Sequence, residues 1–549
     1  MRVDSDAIPA WTVADLPEPK PLAWRNWASF VGPGIVMMGI QIGGGEWLLG
    51  PEITARYGGG LMWVATIAIV LQVFYNIECG RYALYCGEPV FTGFMRVRPG
   101  PALWMSLMLL LNASALIPAL STNGAAIIAS LWLNRPAGPE DRLLVTVLAY
   151  ACLIGVALPV LVGGKIYNML QAVMTAKVLF ILGFCLFVGV VFVDGSLWWD
   201  VFSGFLKFGT VPVSDGGKNT TVVNAFSHYM EHGEWPAVAL ANIAILGAFA
   251  GYAGGGGLAN STYSNFVRDK GWGMGSRVGA IASAVGGKNI TLSHVGAAFP
   301  VTPENMRRWS GWWKYIITDQ IFVWAPGCFM GMALPALMSI EFVQYSGLTG
   351  MKEKGLEWAQ AIVTADGMRL APELSPAVRQ ILWFVALIAG MAVMLPSQMS
   401  IVDDFSRRWT DGIWTASRRV RTTFRPDQVQ WIYYGILAFY VIWSLIWTWV
   451  FSTWGTPKLM TIIIANLNNV AIGVTALQLL YINLRLLPRE IRPRWYHSTG
   501  LILCSFFYLG LSALVFAEKQ WPELKKYLQK PAATAAAELP AESHEYRIR

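Results

Sequence analysis

Long apolar stretches run through most of this chain and limit its fold more than any other feature. About eleven segments reach the roughly 20 apolar residues that a membrane-spanning helix requires. Because the bilayer core offers the backbone no hydrogen bonds, and a helix satisfies its own, we expect an all-α polytopic membrane protein with about eleven transmembrane helices. The predicted spans lie near 29–57, 60–87, 101–133, 142–162, 166–193, 236–267, 313–340, 377–400, 429–452, 457–484 and 497–517.

Two of these spans, the first and the sixth, contain glycine-rich breaks. Span 1 contains Gly43-Gly44-Gly45-Glu46, and span 6 contains Gly251-Tyr252-Ala253 followed by glycines from Gly254 to Gly257. Backbone that leaves helical geometry at membrane depth must be buried in protein or face a wet cavity. Paired breaks at corresponding positions are typical of the substrate site of a transporter.

The breaks also predict an internal repeat. They lie about 210 residues apart, and five spans run from each break to the end of its unit. Because five is odd, the second unit is inverted relative to the first. We therefore expect a leader over 1–28, a five-helix repeat over 29–193, an extracytoplasmic loop over 194–235, an inverted five-helix repeat over 236–487, helix 11 over 488–517 and a polar tail over 518–549.

The net charge of +8 follows membrane sidedness rather than a nucleic-acid footprint. If the N-terminus is inside, the inner segments contain about 24 Lys and Arg and the outer segments about 16, which fits the positive-inside rule. The leader lacks the cleavage pattern of a signal peptide, so we expect it to be retained and cytoplasmic. We expect an integral, multi-pass protein of a bacterial inner membrane, whose partners are the lipid bilayer and a transported ion or small solute, with no nucleic acid.

The cysteines and the missing nucleotide motifs exclude other classes. The six cysteines lie in or beside apolar spans at irregular spacing, which is typical of buried thiols and not of a metal knuckle or a disulfide framework. No motif for ATP hydrolysis is present. We therefore expect no cofactor and no enzymatic activity.

Several short segments resemble the Nramp (natural resistance-associated macrophage protein) metal-transporter family. The similar segments are Gly32 to Ile35, Ile42 to Trp47, Ala55 to Gly58, Leu61 to Val64, Gly164 to Val173, Ser397-Gln398 and Ala465-Asn466-Leu467. The resemblance implies the leucine-transporter-type fold of the amino acid-polyamine-organocation superfamily, with two inverted five-helix repeats, broken helices 1 and 6, and helix 11 outside the repeat. It also implies secondary active transport by alternating access.

The metal ligands of that family are missing at the matching positions. Where Nramp proteins have Asp-Pro-Gly-Asn in the span-1 break, with the Asp and Asn as ligands, this chain has Gly43 and Glu46. The span-6 methionine matches Gly251, and the histidine two residues later matches Ala253. The acidic pair that transfers protons in span 3 is replaced near Ser121 and Gly124.

These departures leave three hypotheses for the substrate. Without soft ligands the usual Mn²⁺ or Fe²⁺ site cannot form, but a hard divalent cation such as hydrated Mg²⁺ could use Glu46 and break carbonyls. The alternative is a small organic solute, such as an amino or carboxylic acid, whose carboxylate meets glycine amides beside a half-helix N-terminus. A second alternative is a sensor that keeps the fold without transport.

Two charged residues at membrane depth are candidate coupling groups. Glu46 is either a cation ligand and coupling carboxylate, or a first-turn acid that stabilises the second half-helix of span 1. Lys177 in span 5 resembles a lysine that replaces a sodium ion in some sodium-independent transporters of this fold; otherwise it snorkels or forms a structural pair. The candidate substrate-binding residues are Gly43, Gly44, Gly45, Glu46, Gly251, Tyr252, Gly254, Gln398 and Asn466.

Acidic and basic residues alternate at the end of span 8. Asp403 and Asp404 precede Arg407 and Arg408 by four residues each. This order and spacing predict ion pairs on a helix surface, with an inner gate as the functional alternative.

Overall fold

The computed structural model describes residues 8–162, 164–214, 220–240, 243–284, 290–348, 360–454, 457–522 and residue 525. Within these ranges, nine helices are long and apolar enough to cross a membrane. Spans 1 and 6 are not among the nine because their breaks divide each into shorter helices. These nine helices and the two spans divided by glycine breaks agree with the prediction of about eleven spans, and the polytopic helical fold is confirmed.

The spans have the following helical bounds. Span 1 is Pro33–Gln41 and Gly50–Tyr57 with the π-helical turn Gly45–Leu49; span 2, Trp63–Cys86; span 3, Pro101–Leu111 and Ala119–Leu133; span 4, Arg142–Ala157; span 5, Ile166–Phe192; span 6, Ile243–Tyr252 and Tyr263–Lys270; span 7, Pro303–Thr318 and Ala325–Val343 with the π-helical turn Asp319–Trp324; span 8, Pro376–Ala416; span 9, Val429–Trp454; span 10, Pro457–Leu486; and span 11, Trp495–Val515.

Shorter elements connect the spans. The short helices are Trp27–Phe30, Val90–Met95, Gly195–Gly204, Ala225–His232, Gly275–Val278, Gln360–Leu370 and Arg418–Thr423. Two small sheets depart from the all-α expectation: Thr210–Ser214 pairs antiparallel with Thr220–Asn224, and Thr12–Val13 pairs parallel with Ala297–Ala298. The hairpin strands are rich in Val and Thr, residues that favour extended backbone, and they lie in the predicted extracytoplasmic loop.

Local sequence explains where several spans begin. Proline occupies the first turn of Pro33–Gln41, Pro303–Thr318 and Pro376–Ala416, where its missing N–H costs no hydrogen bond. Thr302 caps span 7 by accepting from the Asn305 amide at 3.2 Å. These signals mark the helix starts, although the helix of span 7 begins ten residues before the predicted start of that span at 313.

The leader packs against the end of the helix bundle at which span 1 begins. We call this end the near face. The Leu16 amide donates to Asn305 Oδ1 at 3.1 Å, and Trp312 Nε1 donates to the Pro17 carbonyl at 2.7 Å. Both partners belong to the start of span 7, which therefore also lies at the near face. The assignment of this face to the cytoplasm stays a prediction.

On the far face, the loop after span 5 docks onto the connection between spans 1 and 2. Asp200 accepts hydrogen bonds at 2.7 Å from the Gly59 amide and at 2.7 Å from Lys207 Nζ. The division into repeats, loop and tail stays a prediction, and the leader residues 1–7 and the tail residues 526–549 lie outside the described residues.

Candidate substrate cavity

The breaks of spans 1 and 6 lie directly against each other. A Cβ atom at Gly45 would collide with the carbonyl oxygen of Tyr252. Only glycine therefore permits this approach of the two backbones.

Glu46 joins the two breaks. Its side chain is fully buried, and its carboxylate accepts from the Gly43 amide and from the Gly254 amide, both at 3.3 Å. Break amides without helical partners must find another acceptor, and Glu46 supplies one to each span. In this arrangement the carboxylate is used internally and is not among the groups that line the cavity described below.

Gln72 of span 2 organises the span-6 break. Its Oε1 accepts from the amides of Gly255 at 2.7 Å and Gly256 at 3.2 Å, and its Nε2 donates to the Ala253 carbonyl at 2.7 Å. Sequence reasoning missed this residue, although a glutamine at membrane depth in span 2 was a signal that could have indicated it.

A cavity of about 70 Å³ lies beside the breaks. Spans 1, 3, 6, 8 and 10 contribute to its wall. The apolar lining residues include Ile40, Ile117, Leu120, Leu258, Ile401 and Ile464, and the polar ones are Gln41, Asn112, Ser114, Tyr252, Ser397, Asp404 and Asn468. The wall is therefore mainly apolar, with a few polar groups.

The predicted substrate-binding residues separate into two groups. Gly44, Tyr252 and Gly254 line the cavity, whereas Gly43, Gly45 and Gly251 pack at the breaks behind it. Tyr252 is part of the wall. Whether any of these residues binds substrate stays a prediction.

Gln398 and Asn466 make structural hydrogen bonds away from the cavity lining. Gln398 accepts from the Ser121 amide and donates to Tyr440 Oη, both at 3.2 Å. Asn466 Nδ2 donates to the Ala244 carbonyl at 3.0 Å. Asn468, two residues further along span 10, lines the cavity instead, because residues two apart on a helix lie on nearly opposite faces.

Two lining amides have orientations fixed by donor-only partners. Gln41 Oε1 accepts from Trp324 Nε1, and Asn112 Oδ1 accepts from Arg408 Nη1 at 2.9 Å. Since indole and guanidinium groups cannot accept, each amide must turn its oxygen to that partner and its NH₂ group elsewhere. Among the described residues, neither NH₂ group has a hydrogen-bond partner.

Lys177 connects span 5 to spans 8 and 1. Its ammonium is buried and donates to Ser397 Oγ at 2.6 Å, and Ser397 Oγ donates to the Ile40 carbonyl at 3.2 Å. The amine of Lys177 thus lies at the end of the first half of span 1, next to the break.

The paired charges at the end of span 8 are buried, so the expectation of surface pairs is wrong. Arg407 bonds Asp403 at 2.9 Å and also contacts Asp269 of span 6. Arg268 bonds Asp269 at 2.7 Å and Asp411 at 2.5 Å. The second half of span 6 covers this face of span 8, which the spacing within one helix could not reveal.

A second contact between spans 6 and 8 closes the cavity on the side of the near face. Asp404, a lining residue, accepts from Thr262 Oγ1 and is paired with Arg408. The buried ion pairs of spans 6 and 8 therefore lie between the cavity and the near face, where Lys270 ends span 6 beside Gly32.

The fold and this cavity define a multi-pass membrane protein with the architecture of a transporter. The structure is similar to the crystal structure of the Eremococcus coleocola manganese transporter in complex with an aromatic bis-isothiourea substituted compound, with a TM-score of 0.59 and 11% identity over 97% of this chain and 94% of that chain. A single-substitution mutant of the same transporter gives a TM-score of 0.59 and 11% identity over 96% and 93% of the two chains. Mhp1, a nucleobase-cation-symport-1 family transporter, gives a TM-score of 0.46 at 12% identity over 94% and 96%.

The comparisons confirm the predicted transporter fold. No protein-family model and no curated protein matches the sequence. At 11% identity the likeness to the manganese transporter shows the fold alone.

Proposed function

We propose that this protein is a secondary active transporter that moves a small organic solute bearing carbonyl or carboxylate oxygens. The observation that carries the proposal is the pair of fixed amides, Gln41 and Asn112, whose NH₂ groups lack partners. A buried donor without a partner costs roughly 1–3 kcal/mol, and an acceptor on a bound solute would remove this cost. The apolar wall would contact the carbon skeleton of the same solute.

This proposal differs in one respect from the sequence-based alternative. The amides of Gly254, Gly255 and Gly256 already donate to Glu46 and Gln72. The solute's acceptors would therefore meet side-chain amides and not the glycine amides.

A divalent metal cation, held by Glu46, stays the competing prediction. Cations need oxygen ligands, whereas the unpartnered buried groups among the described cavity-lining side chains are N–H donors, and Glu46 is engaged by two amides. No group of three or more His, Cys, Asp or Glu side chains suited to a metal occurs within the described part of the chain.

We propose alternating access between the near and far faces, with the ion pairs of spans 6 and 8 as the near-face gate. Arg407 is the centre of that gate, because it bonds Asp403 on its own span and Asp269 across the interface. The gate would separate when span 6 moves relative to span 8. Lys177 would act as a fixed cation that replaces a coupling ion.

Uptake into proteoliposomes tests the proposed function. Purified full-length protein would be assayed with a panel of labelled amino acids, carboxylic acids and neutral carbonyl compounds, and with Mg²⁺ and Mn²⁺, under sodium and proton gradients. We expect saturable uptake of at least one organic solute and none of either cation. Saturable Mg²⁺ or Mn²⁺ uptake without organic uptake would contradict the proposal, and binding without uptake of any compound would indicate the sensor alternative.

A further inference from the structure

A second cavity, remote from the breaks, lies at the near face between span 7 and the connection from span 10 to span 11. Its volume is about 650 Å³. We call it the basic groove, and its residues used below are Arg81, Lys314, Arg489, Arg492, Arg494 and Trp313. Five cations line the groove, and the carboxylate among its lining residues is that of Glu490.

Most of these cations are not neutralised by the protein. The guanidinium of Arg81 pairs with the buried carboxylate of Glu78 at 2.9 Å. Within the described residues, no carboxylate lies within ion-pair distance of Lys314, Arg489, Arg492 or Arg494. The groove therefore has an uncompensated positive field that favours a polyvalent anion.

Arg81 gives the groove a fixed floor. It donates from Nη1 to the Ile491 carbonyl at 2.8 Å, and its guanidinium lies over the Trp313 ring at 4.1 Å. Ile491 belongs to the short turn between spans 10 and 11, so Arg81 holds the basic turn against span 2, with Trp313 of span 7 beneath its guanidinium. The cations project from a connected framework rather than from a free loop.

The groove lies at the level of the membrane–water interface. Span 10 ends at Leu486 and span 11 begins at Trp495, whose side chain is 78% exposed. Exposed Trp and Tyr side chains at span ends are typical of the headgroup region, and Tyr496 is exposed beside Trp495. The phosphate level of the bilayer is therefore the level of the groove.

Apolar surface continues from the groove into the bilayer. Leu503 lies about two helical turns beyond Tyr496 on the same face of span 11 and is 51% exposed, and Phe506 is 78% exposed. A ligand with a phosphate in the groove could thus place acyl chains against span 11. Free phosphate would use the cations but not this surface.

We propose that the basic groove binds the headgroup of an anionic phospholipid. Its phosphate would contact Lys314, Arg489 and Arg494, and its chains would lie along span 11. Basic pockets between transmembrane helices are suited to such headgroups, and each cation contributes to the attraction. The site is separate from the transport cavity and does not depend on the substrate proposed above.

The test measures lipid affinity through thermal unfolding of the full-length protein in zwitterionic micelles. Phosphatidylglycerol, phosphatidylcholine and inorganic phosphate would each be titrated, because a ligand that binds the folded state raises the unfolding midpoint. The groove variant is Lys314→Gln/Arg489→Gln/Arg494→Gln. These three side chains are exposed and form no hydrogen bond or ion pair with the described residues. The control, Arg418→Gln/Arg419→Gln/Arg425→Gln, removes the same charge from another exposed basic segment.

We expect phosphatidylglycerol to raise the midpoint of the wild type and of the control. We expect the groove variant to need about 100-fold more of this lipid for the same shift, since each cation is worth about fivefold in affinity. Equal titrations of the groove variant and the control would overturn the proposal. A shift from phosphatidylcholine equal to that from phosphatidylglycerol would also overturn it. So would an equal shift from inorganic phosphate, which would identify a phosphate site without lipid.

Discussion

Buried backbone amides at the two breaks are satisfied by single side chains. Glu46 serves one amide of each break, and Gln72 serves two amides of span 6. Since an unpaired buried amide is costly, these contacts stabilise the non-helical backbone. At the residue scale, the described cavity-lining side chains with unpartnered buried groups are the amides of Gln41 and Asn112, and Lys177 lies beside the span-1 break.

Replacing the ammonium of Lys177 tests its proposed coupling role. We expect Lys177→Met to reduce solute uptake at least about tenfold, which is within the range typical of coupling between sites. The variant removes the hydrogen bond from Lys177 to Ser397, which in turn donates to the Ile40 carbonyl and so connects spans 5, 8 and 1. A sodium gradient should restore part of the uptake by supplying a cation. The control is Lys20→Met, whose side chain is exposed in the leader, and unchanged coupling in Lys177→Met would remove the proposal.

At the element scale, the sequence predicts the breaks better than it predicts the residues around them. Glycine runs inside apolar spans indicate non-helical backbone directly, so the positions of both breaks could be predicted. The partners could not, because a polar residue inside a span is equally suited to a cavity and to a helix contact. Asn466 and Asn468 show the difficulty: only the rotation of span 10 determines which of them reaches the cavity.

The span-6 break requires glycine at a particular position. Gly256 has a φ of 65°, and a Cβ there would collide with the Gly251 carbonyl oxygen. We expect Gly256→Ala to destabilise the protein by about 1–3 kcal/mol and to abolish uptake.

Thermal unfolding and uptake measured together check the Gly256 prediction. Gly183→Ala is the matched control, because Gly183 lies within the helix of span 5 and a Cβ there meets nothing within 4 Å. A Gly256→Ala protein as stable and active as Gly183→Ala would show that the break does not need this conformation.

At the scale of the whole molecule, contacts at opposite faces hold the spans together. The leader packs against span 7 at the near face, and the loop after span 5 packs against the connection of spans 1 and 2 at the far face. The buried ion pairs between spans 6 and 8 lie between the cavity and the near face. These contacts join segments far apart in sequence, so no local pattern could predict them.

The docking of the far-face loop should depend on pH. Burial alone would raise the pKa of Asp200, but hydrogen bonds from Lys207 and the Gly59 amide outweigh it and lower the pKa below its ordinary value of 3.8. A carboxyl group with a lowered pKa stabilises the folded state above its ordinary pKa, and this contribution is lost as the pH falls through the lowered value.

Hydrogen exchange of the Gly59 amide would measure this docking. We expect protection to be constant from neutral pH down to about pH 5, after correction for intrinsic exchange, and to fall only in stronger acid. Asp200→Asn should lower protection at every pH above the acid step and remove the step. Protection that changes near neutral pH, or persists in Asp200→Asn, would contradict the role of this carboxylate.

We propose that the cavity presents hydrogen-bond donors, the NH₂ groups of Gln41 and Asn112, to an organic solute. The most direct measurement compares uptake of the transported solute, Mg²⁺ and Mn²⁺ by the wild type, Asn112→Asp and the control Asn134→Asp. In Asn112→Asp an oxygen replaces the free NH₂ group while the bond to Arg408 is retained, whereas Asn134 is exposed and away from the cavity. We expect organic uptake to fall at least about fivefold in Asn112→Asp and to stay unchanged in Asn134→Asp, since an unmatched polar contact costs roughly 1–3 kcal/mol. We expect neither variant to gain cation uptake. Unchanged organic uptake in Asn112→Asp, or new uptake of either cation, would contradict the proposal.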